Sequence, residues 1–550
     1  MQTLNTTETT QVLATSGVCE LQSSDCNNSV PVLGLESPHQ TKLASVAEKP
    51  TYAQILKSSA LVGGSSMVNI AIGIVRTKAM AVLLGPAGVG LAGLYTSIVE
   101  LAVSIGGLGV NSSGVRQIAE AVASNNEDRV AETTVVLRRT SVVLGILGAA
   151  LLVGFSREIS SLTFGSNAHA FAISLLSLAV LFRLISAGQG ALIQGMRRIA
   201  DLAKMGVLGA SFGTIVGIVV VYFFREKGVA PSLVAVAALT IVPSWWYSRK
   251  IRTHTPRMTT SQIAREAAPL LQLGFAFMSS GLMTLGVAYA VRIILLRKVG
   301  FEATGLYQSA WTLGGLYVAF ILQAMGADFY PRLTARAQDN EACNRLVNEQ
   351  AHVGLLMAGP GVIATLTFAP LVIEVFYSAK FGPAVDVLRW VCLGTMLQVI
   401  TWPMGFIIVA KGKQKIFFLC EAAWAISSLV LAWVCVRRFG LNGAGIAFFG
   451  SYVFHGFLIY PVVRRMSSFR WSEESTRTGL LFLGLMATVF AAFHLLSFTL
   501  AVALGSAVVL ISSAISVLAL IKLVAPQQLP YPLRRLLARW TLLSPAVGAN

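Results

Sequence analysis

The side chains of this 550-residue chain best placed to do chemistry are ionisable groups lodged inside long apolar runs. A charge near the centre of a bilayer costs at least about 2.5–3.5 kcal/mol, so it persists only where it faces water, a ligand or an opposite charge. Glu100 lies about halfway along the apolar run 90–112, and Arg183 just past halfway along 169–193. Arg76 and Lys78 sit some 10 Å or more from one end of the run 58–83 at the helical rise, where partial snorkelling is open to them. Arg292 and Arg389 fall within a turn or two of that same surface and Glu421 comparably near the opposite one. For Arg292 and Arg389 a snorkelling anchor is at least as good a reading as a binding role.

Glu100 belongs to a stripe. Gly93, Ser97, Glu100, Ser104, Gly107 and Asn111 recur at helical spacing and form one small, polar face. Tight packing through small residues with serine hydroxyls as glue is one use of such a face. A bare carboxylate serves packing poorly, which favours a cavity. Later in the chain a similar face reads Gln308, Thr312, Gly315 and Ala319, with glycine where the carboxylate stood. Arg183 continues its own face through Ser186, Gly190 and Gln194, and its planar fork suits phosphate or carboxylate oxygens. An internal ion pair with Glu100 is the competing use. His455 and His494 have no carboxylate at helical spacing and read as core histidines. Cys19, Cys26, Cys343, Cys392, Cys420 and Cys435 form no close C-x-x-C pair, so neither a metal site nor a disulfide is expected. Gly88-Val89-Gly90-Leu91-Ala92-Gly93 matches G-x-G-x-x-G, but no βαβ unit contains it, and it reads as a turn between two helices.

The elements that must position these groups are membrane helices. With 55% hydrophobic and 12% charged residues and a mean hydropathy of +0.71, the chain reads as an all-α integral membrane protein. Apolar stretches long enough to cross about 30 Å of hydrocarbon number about 14. The layout of residues 55–255 returns about 215 positions later. Gly85 to Leu91 aligns with Gly300 to Leu306, Gly195 with Gly412, and Gly228 with Gly440. The expected organisation is a disordered cytoplasmic tail (1–52), two pseudo-symmetric six-helix bundles (53–255 and 256–465), an additional transmembrane hairpin outside the repeats (478–523) and a basic cytoplasmic tail (524–550). Lys and Arg concentrate on the side of the N-terminus, which is therefore read as cytoplasmic. That bias, with attraction to anionic membrane lipids, accounts for the net charge of +18 without a nucleic acid.

Leu83-Leu84-Gly85-Pro86-Ala87-Gly88-Val89-Gly90-Leu91, Gly305-Leu306-Tyr307-Gln308, Tyr330-Pro331-Arg332-Leu333-Thr334, Val387-Leu388-Arg389-Trp390 and Ala410-Lys411-Gly412-Lys413 together carry a resemblance. Over roughly residues 55–465 the chain resembles the Wzx-type flippases of the polysaccharide transporter family, within the multidrug/oligosaccharidyl-lipid/polysaccharide exporter superfamily. Lys78 falls where these flippases often place a basic residue, and Glu421 follows Phe417-Phe418-Leu419-Cys420 as the family's carboxylate does. The resemblance departs at Thr395 and Gln398, where relatives often carry an acid and a lysine.

What the resemblance implies is a flippase without cofactor or catalytic residues, moving undecaprenyl-pyrophosphate-linked oligosaccharide across the bacterial inner membrane by alternating access for O-antigen or exopolysaccharide export. Arg183, Lys78, Arg76 and Arg292 are then the pyrophosphate ligands. Glu100, Ser97, Ser104, Asn111, Gln308 and Glu421 are the polar or coupling residues, with a proton or sodium as coupling ion. A polysaccharide polymerase and a chain-length regulator are the protein partners it implies. A drug or cation antiporter of the same superfamily wants several buried carboxylates, whereas here cations outnumber anions at membrane depth. A membrane enzyme of polysaccharide assembly wants catalytic carboxylates near a substantial soluble loop, and the outer loops are short.

Overall fold

Apolar runs with few breaking residues fold as helices because, in hydrocarbon, each backbone N–H and C=O must be satisfied within its own segment. The computed structural model describes residues 50–523 apart from positions 125, 252, 253 and 255. The expectations for residues 1–49 and 524–550 lie outside the described residues. The α-helices among the described residues are α1 (Pro50–Gly107), α2 (Val110–Ala123), α3 (Glu127–Gly154), α4 (Ser156–Phe164), α5 (Ala170–Gly195), α6 (Ile199–Phe224), α7 (Val229–Ser248), α8 (Thr260–Lys298), α9 (Phe301–Ala335), α10 (Asn340–Thr367), α11 (Ala369–Phe376), α12 (Ala384–Ala410), α13 (Gln414–Ser467), α14 (Glu473–Leu495) and α15 (Phe498–Leu523). The described residues contain no strand. Side-chain caps start several helices: Asn126 accepts from Arg129 N at 3.2 Å, Asp339 from Ala342 N at 3.0 Å, and Thr259 and Gln262 form a capping box.

The protein is a multi-helix membrane protein. By length and apolarity the described residues hold eight candidate spans, or up to ten if each of two bent pairs is one span. That measure does not reproduce the expected fourteen. Much of the difference lies in three continuous stretches of 44, 50 and 54 residues, Gly64–Gly107, Ile199–Ser248 and Gln414–Ser467, each about twice the roughly 20 residues a single crossing needs. Each is interrupted: α1 at Gly85 (φ 65°, ψ −173°), the second by the single 3-10 turn Arg225–Gly228, and α13 at Gly440 (φ 56°, ψ −130°).

The duplication is written into the backbone. Positive φ occurs at Gly85 and Gly300, at Arg197 and Gly412, and at Arg225 and Gly440, each pair 215 positions apart. Arg225 (φ 50°, ψ −131°) nearly superimposes in conformation on Gly440. The glycine-to-glycine alignment of Gly195 with Gly412 and of Gly228 with Gly440 is therefore corrected by two and three residues.

Within the described part of the compact unit that begins at Ser58, α5 packs on α3 and α7, and α12 packs on α9, α10 and α13. Helix α8 touches α2, α3 and α4 as well as α9 and α13. The last pair docks on one helix of the later half: α14 and α15 both pack against α10, and the fully buried Phe482 lies over Gly359, where a Cβ would overlap its ring. Near the Gly85 turn two backbones meet without side chains. A Cβ on Gly90 would strike the Phe301 carbonyl and Gly305, and one on Gly305 would strike the Pro86 carbonyl.

Candidate functional site

The α8–α9 turn brings Arg292 beside a face of α9 formed by Gln308, Trp311 and Thr312, residues three and four apart on one helix. Arg292 Nε donates to Gln308 Oε1 at 2.6 Å, and Nη1 donates to the Ala288 carbonyl at 2.8 Å. The guanidinium lies 5.1 Å from the Trp311 ring centroid. Gln308 is itself fixed, its Nε2 donating to Thr312 Oγ1 at 3.1 Å. Arg292 is only 5% exposed, and its direct partners are all neutral. Of the two readings the sequence left for it, anchor or binding residue, the burial of Arg292 speaks against the snorkelling anchor.

This group borders a cavity of about 320 Å³ whose wall also carries Arg76, Ser97 and Glu100. Ser97 Oγ donates to the Gly93 carbonyl at 2.8 Å, which leaves only its lone pairs for the cavity. Glu100 forms no ion pair among the described residues, though its charge interacts with that of Arg292. A second cavity of about 330 Å³ adjoins the first, because Ala288, Trp311 and Thr312 line both.

Five of the ten residues singled out by sequence therefore meet: Arg76, Arg292, Ser97, Glu100 and Gln308. The others do not. The polar stripe is divided, with Ser104 and Asn111 in the wall of a separate cavity of about 220 Å³. Asn111 is not on the Glu100 helix at all, since α1 ends at Gly107 and positive φ at Leu108 and Gly109 turns the chain into α2. Arg183, on α5, is exposed and outside the cavity wall; its expected ion pair with Glu100 is not formed, and its charge interacts with that of Arg76 instead. Glu421 is outside the wall of the second cavity, close to its lining residue Tyr452.

Lys78 also lies apart, its Nζ donating to the Glu374 carbonyl near the end of α11 at 2.6 Å. Its counterpart in role is Arg297 on α8, which no sequence pattern singled out. Arg297 donates to the Ser161, Leu162 and Thr163 carbonyls at the end of α4, at 2.5, 2.8 and 3.2 Å. A cation at a helix C-terminus satisfies orphan carbonyls and complements the dipole. The arrangement is reciprocal: α1 caps the short helix α11 of the later half, and α8 caps the short helix α4 of the earlier half.

Residues 79–386 match a family described as "Polysaccharide biosynthesis protein". A similar protein is the "Lipid III flippase" of Escherichia coli (strain K12), 23% identical over 416 residues that cover 72% of this chain and 95% of the relative. The fold is similar to that of "Lipid II flippase MurJ, inward closed conformation", with a TM-score of 0.61 and 15% identity over 84% of this chain and 99% of that one. It is also similar to an inward-facing multidrug resistance transporter of the MATE family in the MOP superfamily, with a TM-score of 0.57 and 17% identity over 74% and 94% of the two chains.

Proposed function

The chain belongs to the polysaccharide biosynthesis protein family, and on that premise we propose that it is a flippase for a polyprenyl-pyrophosphate-linked oligosaccharide. The observation that carries this reading is Arg292, a buried cation with neutral direct partners beside an open cavity that also holds Arg76. A buried charge without a counter-ion is costly, so a diphosphate entering the cavity replaces water with a partner of the required sign. With Nε held by Gln308 and one Nη1 hydrogen by Ala288, the remaining Nη hydrogens are those left for phosphate oxygens. Arg76 adds a second fork, and Arg183 raises the local positive potential.

In this reading the diphosphate and sugars cross through protein while the polyprenyl tail stays in lipid. The protein works in the bacterial inner membrane with its N-terminus in the cytoplasm, and the halves 53–255 and 256–465 rock about the cavity between inward- and outward-open states. Glu100, on the same wall as Arg292, takes the coupling proton or sodium ion, and biases the two states only through a different affinity in each. The exported unit feeds O-antigen or exopolysaccharide assembly, beside a polymerase and a chain-length regulator. An antiporter of drugs or cations fits less well, since the wall of this cavity sets Arg76 and Arg292 against the one carboxylate of Glu100.

The test is deletion of the gene, which should cause a lipid-linked oligosaccharide to accumulate on the cytoplasmic leaflet. Re-expressed Arg292→Gln should reach the membrane at near-normal level and lower export by about tenfold or more. Normal export by that variant, or no accumulation after deletion, would remove the reading.

A further inference from the structure

Resting on the flippase reading, we infer that the second cavity, of about 330 Å³, is the saccharide subsite of the transported lipid. Its wall carries Trp311, Trp424 and Tyr452 together with the amide or hydroxyl groups of Gln398, Thr395 and Ser428, and no charged residue. Sugars are neutral, with apolar C–H faces and a rim of hydroxyls, and are met by aromatic platforms and neutral hydrogen-bonding groups. Trp424 lines this cavity and its Nε1–H is buried with no hydrogen-bond partner, so a small turn of the ring would bring an unpaired donor to a sugar hydroxyl. The polyprenyl chain gains nothing from such a wall, because lipid already solvates it.

Position fits the chemistry. Trp311 and Thr312 line both cavities, so a ligand whose diphosphate lies on Arg292 extends past Trp311 into the neutral space without leaving the protein. Gly315 is also in this wall, and a Cβ built on it meets nothing within 4 Å. It stands 215 positions after Glu100, so the two halves share a helix face but one carries charge where the other leaves room. The asymmetry divides the substrate: diphosphate on the charged side, sugar on the open one.

Gly315→Phe fills this cavity and meets no neighbour at its Cβ, which makes it the test. Two probes are bound to purified full-length protein in nanodiscs: undecaprenyl pyrophosphate, and the sugar-bearing lipid extracted from the deletion strain. Gly315→Phe should weaken binding of the sugar-bearing lipid about tenfold or more and change binding of the sugar-free lipid by less than about twofold. Gly484→Phe, on the exposed side of α14 with equal room, should affect neither. Unchanged binding of the sugar-bearing lipid, or equal loss of both probes, would overturn the subsite. Failure of wild-type protein to bind undecaprenyl pyrophosphate counts against the diphosphate site instead. Should the phenylalanine variant misfold, Gly315→Cys decides: labelling by an impermeant maleimide, above the background of the native cysteines, should be slowed by the sugar-bearing lipid and not by the sugar-free one. Labelling indifferent to the sugar-bearing lipid would overturn the subsite.

Discussion

Gln308 Oε1 accepts the hydrogen bond from Arg292 Nε at 2.6 Å, and this contact decides which edge of the guanidinium remains free. Gln308→Leu should leave a buried donor unpaired, a loss of roughly 1.5–3 kcal/mol for a hydrogen bond to a charged group. Binding of undecaprenyl pyrophosphate to the purified protein should weaken by about tenfold or more. Gln308→Glu should weaken it further, because a carboxylate at 2.6 Å turns the free cation into an ion pair. If the leucine and glutamate variants bind as tightly as wild type, Gln308 does not position Arg292.

The reciprocal caps should hold one conformational state. Lys78→Met and Arg297→Met each remove a cation from the end of a short helix in the other half, worth roughly 0.3–1 kcal/mol at an exposed helix end. Each should therefore speed labelling of a Gly315→Cys thiol by impermeant reagent applied from outside the cell, and the double variant should exceed either. Labelling that stays at the wild-type rate in the double variant contradicts the latch.

Arg197 has φ of 55°, the left-handed region where its counterpart is Gly412. An L-residue there carries about 1–2 kcal/mol of strain that glycine avoids. Arg197→Gly should therefore raise thermal stability in detergent, and a lowered midpoint would mean that the arginine side chain supplies more than its backbone costs.

Phe482 is fully buried between α14 and α10. Phe482→Ala should destabilise the protein by roughly 3–5 kcal/mol, read as a fall in thermal midpoint and in membrane level. Removal of residues 478–523 should do at least as much harm. A truncated protein of wild-type stability would show that the last two helices add nothing to the bundle.

Depth along a helix was legible in the sequence, whereas the direction each side chain faces was only partly so. Glu100 was recognised because its neighbours mark a face, and that face does meet a cavity. Arg183 is deeper than Arg292 but lies outside the cavity wall, and Arg292 was named in the sequence only beside an equal reading as an anchor, because the partners that hold it, Gln308 and Trp311, lie on the next helix. Arg297 left no signal because it acts on carbonyls, which every residue carries. The repeat was visible, yet aligning glycine to glycine misplaced it at Gly412 and Gly440. There the earlier half uses Arg197 and Arg225 in the same conformation, so identity was a poorer guide than backbone angle.

The bare contact of Gly90 with Gly305 has a consequence for turnover. A seam closed by interlocking side chains must expose their apolar area on opening, at about 25 cal/mol per Å². Two glycines offer almost none of that area and no rotamers to rearrange, so what resists parting here is the apolar packing around them, such as Val89 with Leu306, and not the glycines themselves. Under the flippase reading this pair would be the point of least friction between the halves, with the polar caps at Lys78 and Arg297 weighting the closed side.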